Sequence, residues 1–383
     1  MRIVGMVFGA MIMLSIVGGA NFYVARRLYQ WLNLLLPQMN AKIFIGIYIF
    51  LAVAMILGLL PIPAAVRSIT GWIGGVFYGF FIYLLMFTLA ADLVVLLGSI
   101  ARIVPSPIPH IVLFCKGLIV VLLSFGIGSY GLYNANQIKH VSYEVQPREA
   151  ASGDVRIVLI SDLHLGATIN EGNLAKVVQG VNDMAPDIVC IVGDIFNGDF
   201  NAIRDPAKAS ELLRSIDATY GVYACFGNHD GGRTFAQMIG FLEDSNVSLL
   251  NDEYAVIDGR LALFGRLDAS PIGGSGGLER RDISGVIASI GADMPVIVME
   301  HNPSRINEYG KEVDLVLSGH SHRGQVFPGS LMTNAIFTVD YGHYQKDADS
   351  PHVIVTSGAG TWGPPLRVGT NNEIVSIVWK EPR

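Results

Sequence analysis

The chain has 383 residues, of which 51% are apolar and only 15% charged, against about a quarter charged in an ordinary soluble domain. The imbalance is one-sided: residues 1–140 carry eight basic side chains and a single acid, Asp92, while the remainder carries 18 basic and 31 acidic residues. These figures exclude a wholly soluble protein, and the acidic second part argues against nucleic acid as the main ligand, since a phosphate backbone would be repelled.

Four apolar runs come first, Ile3–Val24, Ile43–Leu60, Trp72–Gly98 and Ile111–Tyr133, each near the roughly twenty residues that cross a bilayer. The first has the short positive start of a signal peptide. Three further spans follow it and no clear small-x-small cleavage site does, so it reads as a retained helix. Proline-rich links such as Pro61-Ile-Pro63 and Pro105-Ser-Pro107 separate the runs. Leu28–Leu36, with Tyr29 and Trp31, is expected to lie flat at the interface. Four spans put both termini on one side of the membrane. The positive-inside count does not choose the side, because Arg26, Arg27, Lys42 and Arg102 oppose Arg2, Arg67, Lys139 and Arg148. Asp92 and Lys116 fall inside spans; pairing or snorkelling is the ordinary expectation, and a transport or relay role is the alternative.

Residues 134–154 read as a polar linker. Beyond it, β-rich runs (Val155–Ser161, Ile188–Val192, Val222–Ala224) alternate with helical periodicity, as in Leu174, Val177, Val178 and Val181. Pro295–Glu300, Leu315–Ser318, Val353–Thr356 and Ile374–Trp379 continue in β structure. The expectation is an α/β layered domain over 155–383, a plausible size for one domain, preceded by a membrane domain over 1–133. Cys115, Cys190 and Cys225 lack disulfide or zinc-ligand spacing, and Cys190 and Cys225 read as core packing.

The core strands end in metal-ligating side chains: Ser161-Asp162-Leu163-His164, Gly193-Asp194, Gly227-Asn228-His229-Asp230, His301-Asn302-Pro303 and Gly319-His320-Ser321-His322. Ligand sites in α/β sheets lie at the carboxyl ends of strands, and alternate residues of an extended segment face one way. A lone histidine at a strand end is usually structural; five clusters in order are not. Two Asp, one Asn and four His are too many for one tetrahedral ion. Their mixed oxygen and imidazole donors suit Mn, Fe, Zn or Co over calcium. Two divalent ions sharing a carboxylate fit best, an arrangement that clamps both oxygens of a phosphoryl displacement.

This ordered set resembles the calcineurin-like metallophosphoesterases over essentially the whole second half, and most closely the bacterial membrane-associated branch that includes transmembrane proteins with a metallophosphoesterase domain. The segment 319–325 and the ending Ser357–Arg367 add to the likeness. The resemblance implies a four-layer α/β/β/α sandwich behind a bundle of four transmembrane helices. It implies Asp162, His164 and His322 on a first metal, Asp194 bridging, and Asn228, His301 and His320 on a second. His229 would contact the scissile phosphate and protonate the leaving oxygen, with Asn228 beside the substrate; Arg323 is a candidate substrate contact that the resemblance does not supply. Two departures stand out: the family's frequent acid three positions after the bridging Asp is Asn197 here, with Asp199 two further on, and Arg323 replaces a frequent Gly. Arg323 is either a phosphate contact or a solvated side chain. Trp362, Pro364 and Arg367 either line the cleft or pack on the sheet.

The expected function is hydrolysis of a phosphate mono- or diester by a membrane-anchored hydrolase. Its substrate would be lipid-linked or headgroup-bearing, such as UDP-2,3-diacylglucosamine or a phospholipid, with the catalytic domain outside the cytoplasm. The alternative is a membrane sensor or transporter whose phosphoesterase domain is regulatory.

Overall fold

The computed structural model describes residues 2–58, 60, 62–146, 153–167, 169–290 and 294–380. Pro61 of the first proline link and residues 147–152 of the expected linker, Arg148 among them, lie outside the described residues. Two compact units emerge, Met1–Pro61 with Ile69–Tyr130, and Ile62–Ser68 with Gly131–Arg383.

The first unit consists of α1 (Arg2–Leu35), α2 (Ala41–Leu57), most of α3 (Ala64–Ile100) and most of α4 (His110–Asn134). Each apolar run seeds one helix. Of Leu28–Leu36, expected to lie flat at the interface, residues 28–35 continue α1 without a break, since nothing between Val24 and Leu35 interrupts helical hydrogen bonding. Asn40 caps α2 by accepting from the Lys42 and Ile43 amides. Helices α3 and α4 are long and apolar enough to cross a membrane, whereas α2 has 17 residues. Leu93, Val94 and Leu97 on α3 and Ile119, Leu122 and Phe125 on α4 are exposed.

The second unit holds β1 (Ile138–Val145), β2 (Val155–Ile160), α5 (Glu171–Asn182), β3 (Ile188–Val192), α6 (Pro206–Arg214), β4 (Val222–Cys225), α7 (Phe235–Asp244), β5 (Val247–Leu249), β6 (Glu253–Ile257), β7 (Leu261–Gly265), α8 (Ser284–Ile290), β8 (Val296–Met299), β9 (Leu315–Ser318), α9 (Gly329–Ile336), β10 (Gly342–Tyr344), β11 (His352–Val355) and β12 (Asn372–Trp379). They form two six-stranded sheets, ordered β1-β12-β2-β3-β4-β5 and β10-β11-β9-β8-β7-β6. Within the first sheet β2 to β5 are parallel, and β12 runs antiparallel to β2.

Three apolar cores separate four layers. Ile157, Leu159, Cys190, Leu263, Ile297 and Trp379 fill the space between the sheets. Leu174, Val178, Leu213 and Met238 press α5, α6 and α7 on the outer face of the first sheet. Ile287 and the segment through Ile306 and Tyr309 cover the second. Strands β3, β8 and β9 are buried at every position, which is why they read as continuous apolar runs rather than alternating ones. Cys190 and Cys225 belong to this packing, as expected.

The expected linker departs from its reading. Residues 138–145 form β1, paired in parallel with β12 from Ile138↔Asn372 to Val145↔Trp379. Its mixed polar pattern belongs to an edge strand, half exposed along its length.

Candidate metal centre

Every ligand candidate follows the carboxyl end of a strand: Asp162 and His164 after β2, Asp194 after β3, Asn228 after β4, His301 after β8, and His320 and His322 after β9. Both sheets thus contribute. The chain must turn sharply out of each strand to aim these side chains at one place. Asp162, His164, Asp194, His320 and His322 all have left-handed backbone, with φ between 48° and 67°, a conformation that costs a non-glycine residue energy and collects at functional sites. Gly319 makes the approach possible, because a Cβ there would overlap Ser161 Oγ and Asp162 Oδ2.

Two clusters result. In the first, Nε2 of His164 and Nε2 of His322 are 3.1 Å apart, and the latter is 3.3 Å from Asp162 Oδ1. In the second, His301 Nε2 lies 3.3 Å from Asp194 Oδ2 and 3.3 Å from His320 Nδ1, which is 2.8 Å from Asn228 Oδ1. Asp194 Oδ2 also reaches within 3.7 Å of His164 Nε2, so one carboxylate oxygen faces both clusters. Each trio, Asp162, His164 and His322 or Asp194, His301 and His320, converges tightly enough to hold a metal ion. The polar atoms on the inside are imidazole nitrogens, carboxylate oxygens and the Asn228 amide oxygen, and His164 Nδ1 is buried without a partner. Such an arrangement repels itself unless a cation or shared protons fill it. The donor set fits a divalent ion in each cluster.

Supporting bonds fix the ligands. His301 Nδ1 donates to the Val192 carbonyl at 2.9 Å, which leaves Nε2 free to coordinate. Asp162 accepts from Ser161 Oγ at 2.6 Å and from the His320 amide at 3.1 Å. Asp194 Oδ1 accepts from the His229 amide at 2.8 Å.

Electrostatics divide the ligands into two kinds. Burial lowers His164 to about 3 and His320 to about 4 and holds His322 well below the ordinary imidazole value, with Arg367 adding to the last. These rings are neutral and coordination-ready at neutral pH. Burial raises the Asp162 carboxyl to about 6. Burial also opposes charge on Asp194 and His301, but each outweighs it for the other. Asp194 sits well below the carboxylate range and His301 well above the imidazole range. A proton on His301 therefore stands where a cation would otherwise balance Asp194. His229 is only partly buried, its ring edge-on to His164 at 5.1 Å and 5.8 Å from Trp362, and burial lowers its pKa.

Arg323 does not reach into the cluster: its guanidinium lies over the Tyr341 ring at 4.2 Å. Asp199 accepts from Arg67 at 2.7 Å, so its carboxylate serves an ion pair. Two residues without an assigned role emerge. Asp230, buried, accepts from the amides of Ile195, Phe196 and Gly227, stapling the Asp194 turn to the Asn228 turn. Arg367 is fully buried and lines no cleft. It donates to the carbonyls of His322, Ser357 and Gly360 and to Asn372 Oδ1. The acid was visible in the Gly227–Asp230 motif; for Arg367 the packed alternative holds, but the sequence did not show which groups it would bind.

The description calcineurin-like phosphoesterase matches residues 155–324. A metallophosphoesterase of Campylobacter jejuni is 30% identical over 376 residues, covering 96% of this chain and 96% of its own length. A transmembrane protein with metallophosphoesterase domain from Danio rerio is 28% identical over 283 residues, 70% of this chain and 63% of its own. A metallophosphoesterase of Caenorhabditis elegans is 28% identical over 275 residues, 68% of this chain and 56% of its own. The chain therefore spans less than two thirds of the last two relatives. With the paired ligand clusters at the strand ends, these likenesses lead to one conclusion: the chain belongs to the calcineurin-like phosphoesterase family, metal-dependent phosphoester hydrolases with a dinuclear metal site.

Proposed function

We propose that the chain is a membrane-anchored phosphoesterase acting on a phosphate mono- or diester carried by a lipid, such as UDP-2,3-diacylglucosamine or a phospholipid. Helices α1 to α4 form its membrane domain over 1–133, and 155–383 form the catalytic domain, to which β1 contributes an edge strand. Asp162, His164 and His322 would hold a first divalent ion, Asn228, His301 and His320 a second, and Asp194 would serve both; Mn, Fe, Zn and Co all suit these donors. Such a pair supplies a nucleophile at neutral pH and offsets phosphoryl charge.

The chain's own groups do the rest. Asp230 and Arg367 keep the ligand turns rigid. The ring of His229, beside the first cluster and partly open to solvent, gives its proton to the leaving oxygen as the P–O bond breaks, and water supplies the oxygen added to phosphorus. Arg323 is a substrate contact only if it leaves Tyr341.

The observation that carries the lipid-linked reading is an apolar rim beside the clusters. Trp362 is 52% exposed next to His229, and Phe337 lies 5.9 Å from the His320 ring. Phe337 continues from α9, where Leu331, Met332 and Ile336 are all exposed and no residue is buried. Such a rim suits acyl chains better than a soluble nucleotide. The test is a hydrolysis screen of purified full-length protein with Mn, Zn or Fe. A lipid phosphoester turned over faster than a water-soluble diester of the same headgroup supports the reading, and the reverse order refutes it. We also place the catalytic domain outside the cytoplasm. Alkaline phosphatase fused after Arg383 should then be active, and replacing Arg26 and Arg27 by neutral residues should scramble orientation.

A further inference from the structure

The geometry points to a second anion site, inside the helical unit, that takes the phosphate of an anionic phospholipid headgroup. It goes beyond the proposed hydrolysis and rests only on α1, α3 and α4 lying in a bilayer. Asp92 on α3 is the one acidic residue of the first 140. Its carboxylate serves two cations, Lys116 Nζ on α4 at 2.6 Å and Arg27 Nη2 on α1 at 2.6 Å, and accepts from Tyr23 Oη at 2.7 Å. The pairing expected between Asp92 and Lys116 is thus a three-helix cluster with a net charge of one positive. No further carboxylate in this part of the chain can balance it.

Beside the cluster lies a cavity of about 400 Å³ lined by both cations but not by Asp92. Thr88 adds a hydroxyl, and Leu113 and Val121 add an apolar wall. Trp31 forms another side, its indole N–H donating to the Phe114 carbonyl at 3.1 Å. The ring packs against α4 at Gly117, where a Cβ would overlap it. Arg27 stands eight residues from the end of α1, Asp92 eight from the end of α3, and Lys116 six into α4. At 1.5 Å per residue all three sit about 9–12 Å inside the helix ends that the short loops join, near the headgroup boundary. An uncompensated cation at that depth recruits a counter-anion. A tryptophan and an apolar wall around a cationic mouth match a lipid phosphate with its glycerol and upper acyl chain.

The test uses the full chain in detergent, presented with phosphatidylglycerol or phosphatidylcholine and read by native mass spectrometry. Phosphatidylglycerol should be retained preferentially. Lys116→Gln and Arg27→Gln should each weaken that retention about fivefold to tenfold with phosphatidylcholine unaffected. Asp92→Asn, which frees both cations, should retain phosphatidylglycerol at least as well as the native chain. If the glutamine variants do not purify as monodisperse protein, Lys116→Arg, which keeps the charge, must retain the preference. Equal retention of the two lipids overturns the proposal, as does indifference to Lys116→Gln. Loss of phosphatidylglycerol in Asp92→Asn would make the cluster a purely structural network. Displacement of bound phosphatidylglycerol by excess inorganic phosphate would assign the site to a soluble anion and overturn the lipid.

Discussion

Arg367 offers the sharpest test of how the first ligand cluster is held. Its guanidinium is fully buried and makes six hydrogen bonds, to the His322 carbonyl at 3.0 Å, Ser357 at 2.7 Å, Gly360 at 2.6 Å, Asn372 Oδ1 at 2.7 Å, His322 Nδ1 at 3.2 Å and Thr370 Oγ1 at 3.5 Å. Three backbone turns are therefore tied to one side chain, and one of them carries a ligand. Arg367→Met keeps much of the volume and strands the three carbonyls and Asn372 Oδ1, besides the two longer contacts. Each stranded acceptor costs about 1–3 kcal/mol. Relief of the buried cation's desolvation offsets part of that, leaving a net loss of about 3–5 kcal/mol. For a domain of this size the unfolding midpoint should fall by about 6–20 °C. The freed His322 turn should weaken the first ion about 10–100-fold, as losing a ligand's support usually does. The second ion, held through the His301–Val192 bond and Asn228, should stay. Thermal unfolding and a metal titration read by mass spectrometry check both parts. A midpoint within two or so degrees of the native chain, with both ions at native affinity, would refute the reasoning.

Asp194→Asn should abolish turnover and cut bound metal to one ion or fewer, because that carboxylate faces both clusters; two ions with activity intact would sink the bridging role. His229→Ala should keep both ions yet lose about 10²–10⁴ in rate, and less with p-nitrophenolate as leaving group. An equal loss across leaving groups would mean phosphate positioning instead. Metal affinity should rise with pH, since loading must expel the proton that Asp194 holds on His301 and, below about 6, one on Asp162. The second ion should gain up to about tenfold per pH unit while His301 remains protonated in the metal-free protein. Calorimetric titration in two buffers of different ionisation enthalpy would expose the released proton, and a pH-independent affinity would refute it.

The fold was legible where burial was complete. Strands β3, β8 and β9, buried at every position and apolar but for Ser318, stand out as runs between glycines and prolines, and Ile188–Val192 and Leu315–Ser318 coincide with the observed strands to the residue. The edges were not. Strand β1 reads as linker because its side chains alternate between water and a neighbour that is 234 residues away in the chain, Asn372 against Ile138. Strand β5 has only three residues, and β6 exposes Glu253, Tyr254 and Val256. Local pattern cannot show an element whose stabilisation comes from a distant partner.

The ligand clusters were more legible than the scaffold that aims them, for a physical reason. Coordination demands particular side chains, so Asp162, His164, Asp194, Asn228, His301, His320 and His322 are visible as residue types at strand ends. Support demands only hydrogen bonds, which backbone and many side chains provide. Asp230 and Arg367 act on carbonyls and amides that the sequence does not distinguish from any others. The left-handed backbone at five of the ligands is likewise silent, since aspartate and histidine carry no mark of it. What makes that strain tolerable is the surrounding network. Ser161 holds Asp162, Val192 holds His301, Arg367 holds His322, and Asp230 locks the turn beneath Asp194. Ligand side chains brought together by rigid turns are poised for cations, and that rigidity resides in residues chosen for geometry rather than chemistry.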